Sequence, residues 1–499
     1  MTELVVGIKH VRDEIETLPT FGAEMSVAGV VGTAPNADAL IFPLNTPVYL
    51  TTNEATKILA LGTAGTLADA LQGISDQLGA GQVAAKVVVV RVEEGEDAAE
   101  TIGNIVGSEA SGTGIWALLD APTDLGVSPR LICVPGYTQQ FVEQGIVSAT
   151  VGTAGSGGAN GTFALAFTGG GGTGAEGTFT VVGGALTAIT ITEPGSGYTS
   201  APTLGFSAST GLTGAAGTAV RGAVANGVVA AIPTVLNRLR GFLIPDGPAT
   251  SREAWLAWRE TIQSDRILHP SCQDVKVTGA GGSIVTKPTS PRVVGLYIKR
   301  DYETDGVPAR SVANQAISGI VGVSRPVAFS LTDAANEGQE IVGFNGGIIA
   351  RGEIGVESAI ASGGFVFWGT DTLSEDPLWM FAHVMRLRDY IELSQVRSLR
   401  YYLGRFNISV ATVNAVLNTM TSGLERLKAR GYVLDFRIGF ETDKNSPEEL
   451  RLGNIQVLFK AEEAPVLRKI TISSRRYREA LNGLVNAVAT SLNSLENAA

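Results

Sequence analysis

The sequence has 499 residues, 44% hydrophobic and 17% charged, which excludes a disordered chain and calls for several domains rather than one core. A net charge of −11 argues against a coat on nucleic acid, and no apolar run reaches the ~18 residues of a membrane span, so membrane insertion is not expected. Met1–His10 lacks the basic region and apolar run of a secretory leader, so synthesis and folding in a cytoplasm are expected.

Residues 1–22 read as an extended arm with one short apolar run, Leu4, Val5, Val6 and Ile8. Val27–Ala34 predicts a strand. Asn53–Leu61 and Thr66–Gly79 predict helices, the second with Leu67, Ala70, Leu71, Ile74 and Leu78 at helical spacing, Thr66 as cap and Gly79 as stop. Lys86–Val92 is an unbroken β-branched run, the pattern of a strand covered on both faces. A helix at Ala98–Val106 and a strand at Arg130–Pro135 follow. Farther on come helix Val228–Arg240, strand Phe242–Pro245, helix Arg252–Gln263 and strand Arg266–His269. This alternation predicts an α/β domain with a mainly parallel sheet.

A foreign segment interrupts it. Residues 152–217 hold 19 glycines and almost no charge, with β-rich pieces at Phe163–Phe167, Thr178–Val182, Ala188–Thr192 and Thr203–Phe206. They predict a small all-β insertion joined to the core at two neighbouring points. From Pro377 the pattern changes to long helices (Pro377–Leu403, Val410–Arg430), strands (Tyr432–Phe440, Asn454–Lys460, Val466–Ile472) and a last helix, Arg476–Leu492: an α+β domain. Residues 380–499 carry 17 basic and 12 acidic side chains, so one end is mildly basic and the rest acidic. The expected domains are 1–22, 23–143, 144–226, 227–368 and 369–499.

Catalytic and cofactor signals are missing. G-x-G-x-x-G matches at Gly169/Gly171/Gly174 and Gly172/Gly174/Gly177 lead into another strand instead of a helix, and composition this rich in glycine produces them by itself. There is no P-loop, H-E-x-x-H pair or G-x-S-x-G elbow, and His10, His269 and His383 have no partner at ligand or triad spacing. No cofactor and no metal are expected. Cys133 and Cys272 are too few for a disulfide framework or a zinc site. They read as two buried reduced thiols, or as a bond within or between subunits once the particle meets oxidising surroundings.

Several stretches resemble the tail sheath family of contractile phages, R-type pyocins and related injection machines. They are Val30–Pro35 with Leu44–Val48, Pro129–Tyr137 with Phe242–Pro248, and Val293–Gly322. The most specific is Phe367-Trp368-Gly369-Thr370-Asp371-Thr372 through Asp376-Pro377-Leu378-Trp379 to Tyr390-Ile391-Glu392. Departures are Asp371, where the family often has arginine, and Met385-Arg386 and Leu387-Arg388, where paired arginines are usual. The likeness spares only the insertion.

The resemblance implies a structural protein, not an enzyme. It implies a helical homopolymer of stacked hexameric rings around a tail tube, bounded by baseplate and tail terminator proteins, that contracts to drive the tube through the host envelope. The place would be the virion tail, assembled in the host bacterial cytoplasm. Terminal arms, Leu4, Val5, Val6 and Ile8 at one end and Val466, Leu467, Ile470 and Ile472 at the other, would add strands to neighbouring subunits. Relatives would also set Cys133 and Cys272 near core strand ends. On the helix from Pro377, Arg386, Arg397 and Arg400 share an arc of roughly 60° and would face the tube. The alternatives are the sheath of a related injection or secretion system, an α/β enzyme, and a carbohydrate-binding surface protein.

Overall fold

The computed structural model describes residues 22–351 and 364–496, which form two compact units, Met1–Ala464 and Pro465–Ala499. The arm residues Leu4, Val5, Val6 and Ile8, and His10, lie outside the described residues.

The first unit is built on a seven-stranded sheet. Its strands are β1 (Ala28–Thr33), β2 (Pro47–Thr51), β3 (Lys86–Val92), β4 (Leu131–Cys133), β12 (Phe242–Leu243), β13 (Ser264–Leu268) and β20 (Thr372–Leu373), in the order β2-β3-β1-β4-β12-β13-β20. The five inner strands run parallel, and the edge strands β2 and β20 are antiparallel. The β-branched run of β3 explains itself here. Val87 and Val89 enter one core, with helix α2 (Leu67–Ser75) and helix α7 (Ser290–Tyr302); Val88, Val90 and Val92 enter another, with helices α3 (Ala98–Val106) and α5 (Gly227–Leu239). A strand with helices on both faces has no polar side, so alternation disappears. Helices α1 (Ala55–Ala60), α4 (Ala121–Asp124), α6 (Arg252–Glu260) and α8 (Glu337–Gly343) complete this body.

Local chemistry sets the helix ends. Asp97, Asn226 and Ser251 cap α3, α5 and α6 through side-chain acceptors. Thr66 does not cap α2; its hydroxyl instead accepts from the Thr33 N–H and ties that helix to β1, and α2 ends at Ser75, before Gly79.

The insertion is a β module. Strands β5 (Val142–Ser156) and β11 (Thr213–Val224) form a long antiparallel ribbon whose ends meet at Val142 and Val224. The ribbon joins β10 (Thr203–Gly205) and β7 (Ala166–Thr168) in one sheet; β6 (Gly161–Ala164), β8 (Thr173–Val182) and β9 (Ala185–Ser196) make a second. The module has its own core around Phe179, which meets Phe206 edge-on at 5.2 Å. The G-x-G-x-x-G residues turn β7 into β8. Gly171 has φ +81°, and a Cβ on Gly172 would lie 2.5 Å from the Tyr198 ring.

Two small antiparallel sheets, β15 (Ile284–Lys287) with β14 (Val275–Thr278) and β17 (Gly322–Val323), and β16 (Gln315–Ala316) with β19 (Val366–Trp368) and β18 (Ile348–Ala350), flank the body. Beyond β20 come helix α9 (Ala382–Leu399), helix α10 (Val410–Ala429), and a hairpin of β21 (Val433–Phe440) and β22 (Val457–Glu463) with helix α11 (Pro447–Arg451) in its connection. The second unit is an irregular stretch followed by helix α12 (Glu479–Glu496). Val466–Ile472, expected as a strand, is not one: Leu467, Ile470 and Ile472 are 76%, 70% and 85% exposed, and among the described residues no ladder includes them.

Candidate assembly surfaces

Helix α9 ties the α/β body to the C-terminal hairpin. Its first six residues, Ala382 to Leu387, are all buried, so burial here varies along the helix instead of around it. Arg386 lies in this embedded stretch. It donates to both carboxylate oxygens of Asp301 on α7, at 3.1 and 2.6 Å, and to the Met25 carbonyl at 3.1 Å. Its guanidinium sits 4.6 Å from the centre of the Tyr297 ring, and Ser26 donates to Asp301. Burial pushes the Asp301 carboxyl up, while Arg386 and Ser26 pull it back. Arg386 is therefore a core residue and cannot face a tube, which corrects the sequence reading.

Three further ion pairs leave the same helix in different directions. Asp389 accepts a double contact from Arg266 on β13, at 2.6 and 3.3 Å. Arg388 grips Glu463 on β22 at 2.7 and 2.9 Å and lies 5.5 Å from both the Trp379 and Phe459 rings. Glu392 meets Arg240 at the end of α5. Arg388, Asp389, Asp301 and Glu463 escaped sequence reasoning. The one available signal was the density of charge within the apolar start of α9, which buried charges permit only when each has a partner. Of the proposed stripe, Arg397 and Arg400 remain exposed, and Arg397 donates to the Gly22 carbonyl at 2.8 Å.

The other sequence candidates carry no chemistry. His269 is buried, shares a 2.6 Å hydrogen bond with the Tyr297 hydroxyl, and is pushed down to about 4 by burial. His383 is buried against the Ala464 carbonyl and is likewise shifted down. Cys133 and Cys272 are both free and buried in different clusters, Cys133 under α7 and Cys272 beside Trp255. Burial pushes both thiols well up, Cys272 to about 12, so both are inert and the disulfide is not formed. Among the described residues no group of three His, Cys, Asp or Glu is placed to hold a metal, and no helix is long and apolar enough to cross a membrane.

Two surfaces remain open. The β21–β22 hairpin is a two-stranded sheet, so among the described residues each strand has one edge without a ladder partner. In the second unit, Leu481, Leu484, Val485, Val488 and Leu492 recur at i, i+3, i+4, i+7 and i+11 on α12 and are all exposed.

No family model matches the chain. The tail sheath protein of Escherichia phage P2 is 24% identical over 472 residues, spanning 93% of both chains. The major tail sheath protein of Serratia phage KSP20 is 41% identical over 126 residues, 24% of this chain and 30% of that one. The chain is similar to contractile tail sheath proteins along nearly its whole length. The fold agrees: the helical sheath of the anti-feeding prophage in its contracted state aligns with 95% of this chain and all of its own at TM-score 0.56 and 15% identity. The contracted sheath complex of an extracellular contractile injection system gives 0.53 at 13%. These sheath relatives are structural proteins, and so is this one; it is not an enzyme. It is a contractile sheath protein of a phage tail or a related injection system.

Proposed function

We propose that this sheath protein polymerises as stacked hexameric rings around a tail tube, between baseplate and tail terminator proteins, and contracts to drive the tube through a host envelope. The full-length likeness to a phage sheath favours a phage tail, assembled in the host cytoplasm and resident in the virion. Residues 23–143 and 227–368 are the outer body, the β module decorates it, and 369–499 lie inside. One observation carries the reading: an apolar stretch that joins no ladder among the described residues, with Leu467, Ile470 and Ile472 exposed, coexists with a two-stranded hairpin that no third described strand extends. Donor and acceptor in one subunit form a head-to-tail link, which closes into rings or extends as helices. Residues 1–21, with Leu4, Val5, Val6 and Ile8, are the second donor.

Main-chain ladders tolerate rigid-body rotation, so neighbours stay linked while the lattice changes. The extended lattice is a kinetic trap that relaxes to one with more buried interface, and no nucleotide is consumed. Exposed Arg397 and Arg400 face the tube.

Electron microscopy of the purified chain without tube protein tests this. Hollow striated cylinders of uniform width are expected, and they should vanish on removal of residues 465–499. Discrete monomers at every concentration would overturn the proposal.

A further inference from the structure

Leu481, Leu484, Val485, Val488 and Leu492 of α12 are all exposed. At 100° per residue they fall within an arc of roughly 100°, while Asn482, Asn486 and Thr490 take the opposite side. An arc this broad exceeds the narrow seam of a two-stranded coiled coil and suits a floor made by two helices.

Helices α9 and α10 make such a floor. Between them lies a cavity of about 260 Å³ lined by the buried Ile391, Leu424 and Leu427, and by Ser394, Thr419 and Gly423, whose small side chains leave the space open. Ile391, Leu424 and Leu427 share an apolar cluster with Val433 of β21, and Arg388, less than one turn before Ile391, donates to the Ala461 carbonyl of β22 at 2.7 Å. The groove therefore lies beside the β21–β22 hairpin. At its other end Thr419 shares a 3.1 Å hydrogen bond with Tyr402, whose ring centre is 5.6 Å from that of Tyr401 and 5.9 Å from that of Phe406, both exposed.

We propose that α12 of a second copy lies in the α9–α10 groove, as the third helix of a cluster shared by two subunits. Leu481, Val488 and Leu492 run down the centre of the stripe, with Leu484 and Val485 at its two edges against the walls. A cavity of about 150 Å³ takes a benzene ring, so this one has room for two aliphatic side chains. The rim carries both signs, Asp305 with Arg426 and Arg430, and so does the start of α12, where Arg478 precedes Glu479. Opposite charges meet when α12 runs antiparallel to α10, which also sets the positive end of its dipole beside the negative end of the other.

The inference rests on the proposed function and deepens it. Residues 473–478 separate Val466–Ile472 from α12 and span at most ~25 Å, so a strand added at the hairpin delivers the helix to the groove of the same neighbour. Five side chains are few against the ~20–30 residues a side of a stable interface, so α12 strengthens the strand link instead of replacing it.

The full chain, carrying p-benzoylphenylalanine in place of Leu484, is made in light and heavy isotope forms, mixed at an assembling concentration and irradiated. Adducts joining one isotope form to residues 390–427 of the other are expected. Adducts confined to one form, adducts elsewhere, or none would overturn the inference; cylinders that still form would leave the sheath reading intact. Removing residues 476–499, which keeps Val466–Ile472, should raise the concentration needed for assembly by about tenfold or more, the equivalent of one or two buried leucines. Gly423→Leu, which fills the groove while favouring the helix, should do the same. An unchanged threshold in either variant would overturn the inference and leave the strand link standing, whereas an unaltered chain that never assembles would overturn both.

Discussion

Replacing Arg386 with methionine tests whether α9 is fastened by charge or merely by packing. The substitution keeps an unbranched apolar stem but leaves Asp301, 1% exposed, without its guanidinium. The carboxyl can then stay buried only by taking a proton. At pH 7, protonating a carboxyl whose unfolded value is ~3.9 costs about 4 kcal/mol, and at pH 5 about 1.5 kcal/mol. The first figure falls within the ~3–5 kcal/mol expected for breaking a buried pair. The sign follows from linkage. With its folded pKa raised, Asp301 contributes stability below the unfolded value that is lost as pH rises, and losing Arg386 raises that pKa further. The penalty of Arg386→Met should therefore be large at pH 7 and smaller by about 2.5 kcal/mol at pH 5. Urea unfolding of dilute, unpolymerised protein, followed through the buried Trp255 and Trp258, measures it at both values. The double variant Arg386→Met with Asp301→Leu should recover part of the loss, because no lone charge remains. Arg397→Met, at an exposed site, should change stability by less than about 1 kcal/mol. A single-variant penalty below about 1 kcal/mol at pH 7, or one equal at both pH values, would refute the argument.

Excising residues 144–222 and joining the paired roots of β5 and β11 with a short turn should leave the melting temperature of the remaining body within a few degrees, since the module keeps its own core. Calorimetry checks this, and loss of cooperative unfolding would show that the module is needed. His269 folds neutral, with its pKa lowered from 6.5 to about 4, so it favours the fold above pH 6.5 and that share fades as pH falls toward 4. Its full size is about 3 kcal/mol, and His269→Gln should flatten the pH dependence of unfolding across that window. Cys133 and Cys272 should both resist a thiol reagent in the native chain and both react in denaturant; one fast native thiol would contradict their burial.

Elements whose sequence signal comes from the local chain were legible. Lys86–Val92 and Ala98–Val106 match their expected bounds because β-branched runs and capped helical spacing need no distant information. The parallel inner strands, the β insertion and the strand that follows the G-x-G-x-x-G run could be read for the same reason. What failed depended on depth. Helical-wheel geometry groups Arg386, Arg397 and Arg400 on one face, but a wheel cannot tell that a helix starts inside the protein and ends outside it. The first of the three is fully buried and the other two are exposed. Helix α7 was missed as a helix because Ser290 through Ile298 are buried all round, which erases the amphipathic stripe.

The misses at the chain end have a different cause, and it bears on assembly. Val466–Ile472 has a strand's composition and α12 has a helix's apolar stripe, yet both present those side chains to solvent in the single chain. An isolated helix of this length is marginal in water, and its exposed leucines and valines gain nothing there. Local preference and surroundings disagree along the whole of the second unit while agreeing through the α/β body. Such disagreement marks residues chosen for a partner. In this reading the sequence of Pro465–Ala499 is satisfied in the polymer, so truncating it should abolish assembly and leave the unfolding of the first unit intact, as measured by sedimentation and urea titration. A truncated chain that still sediments as polymer would place the subunit link elsewhere.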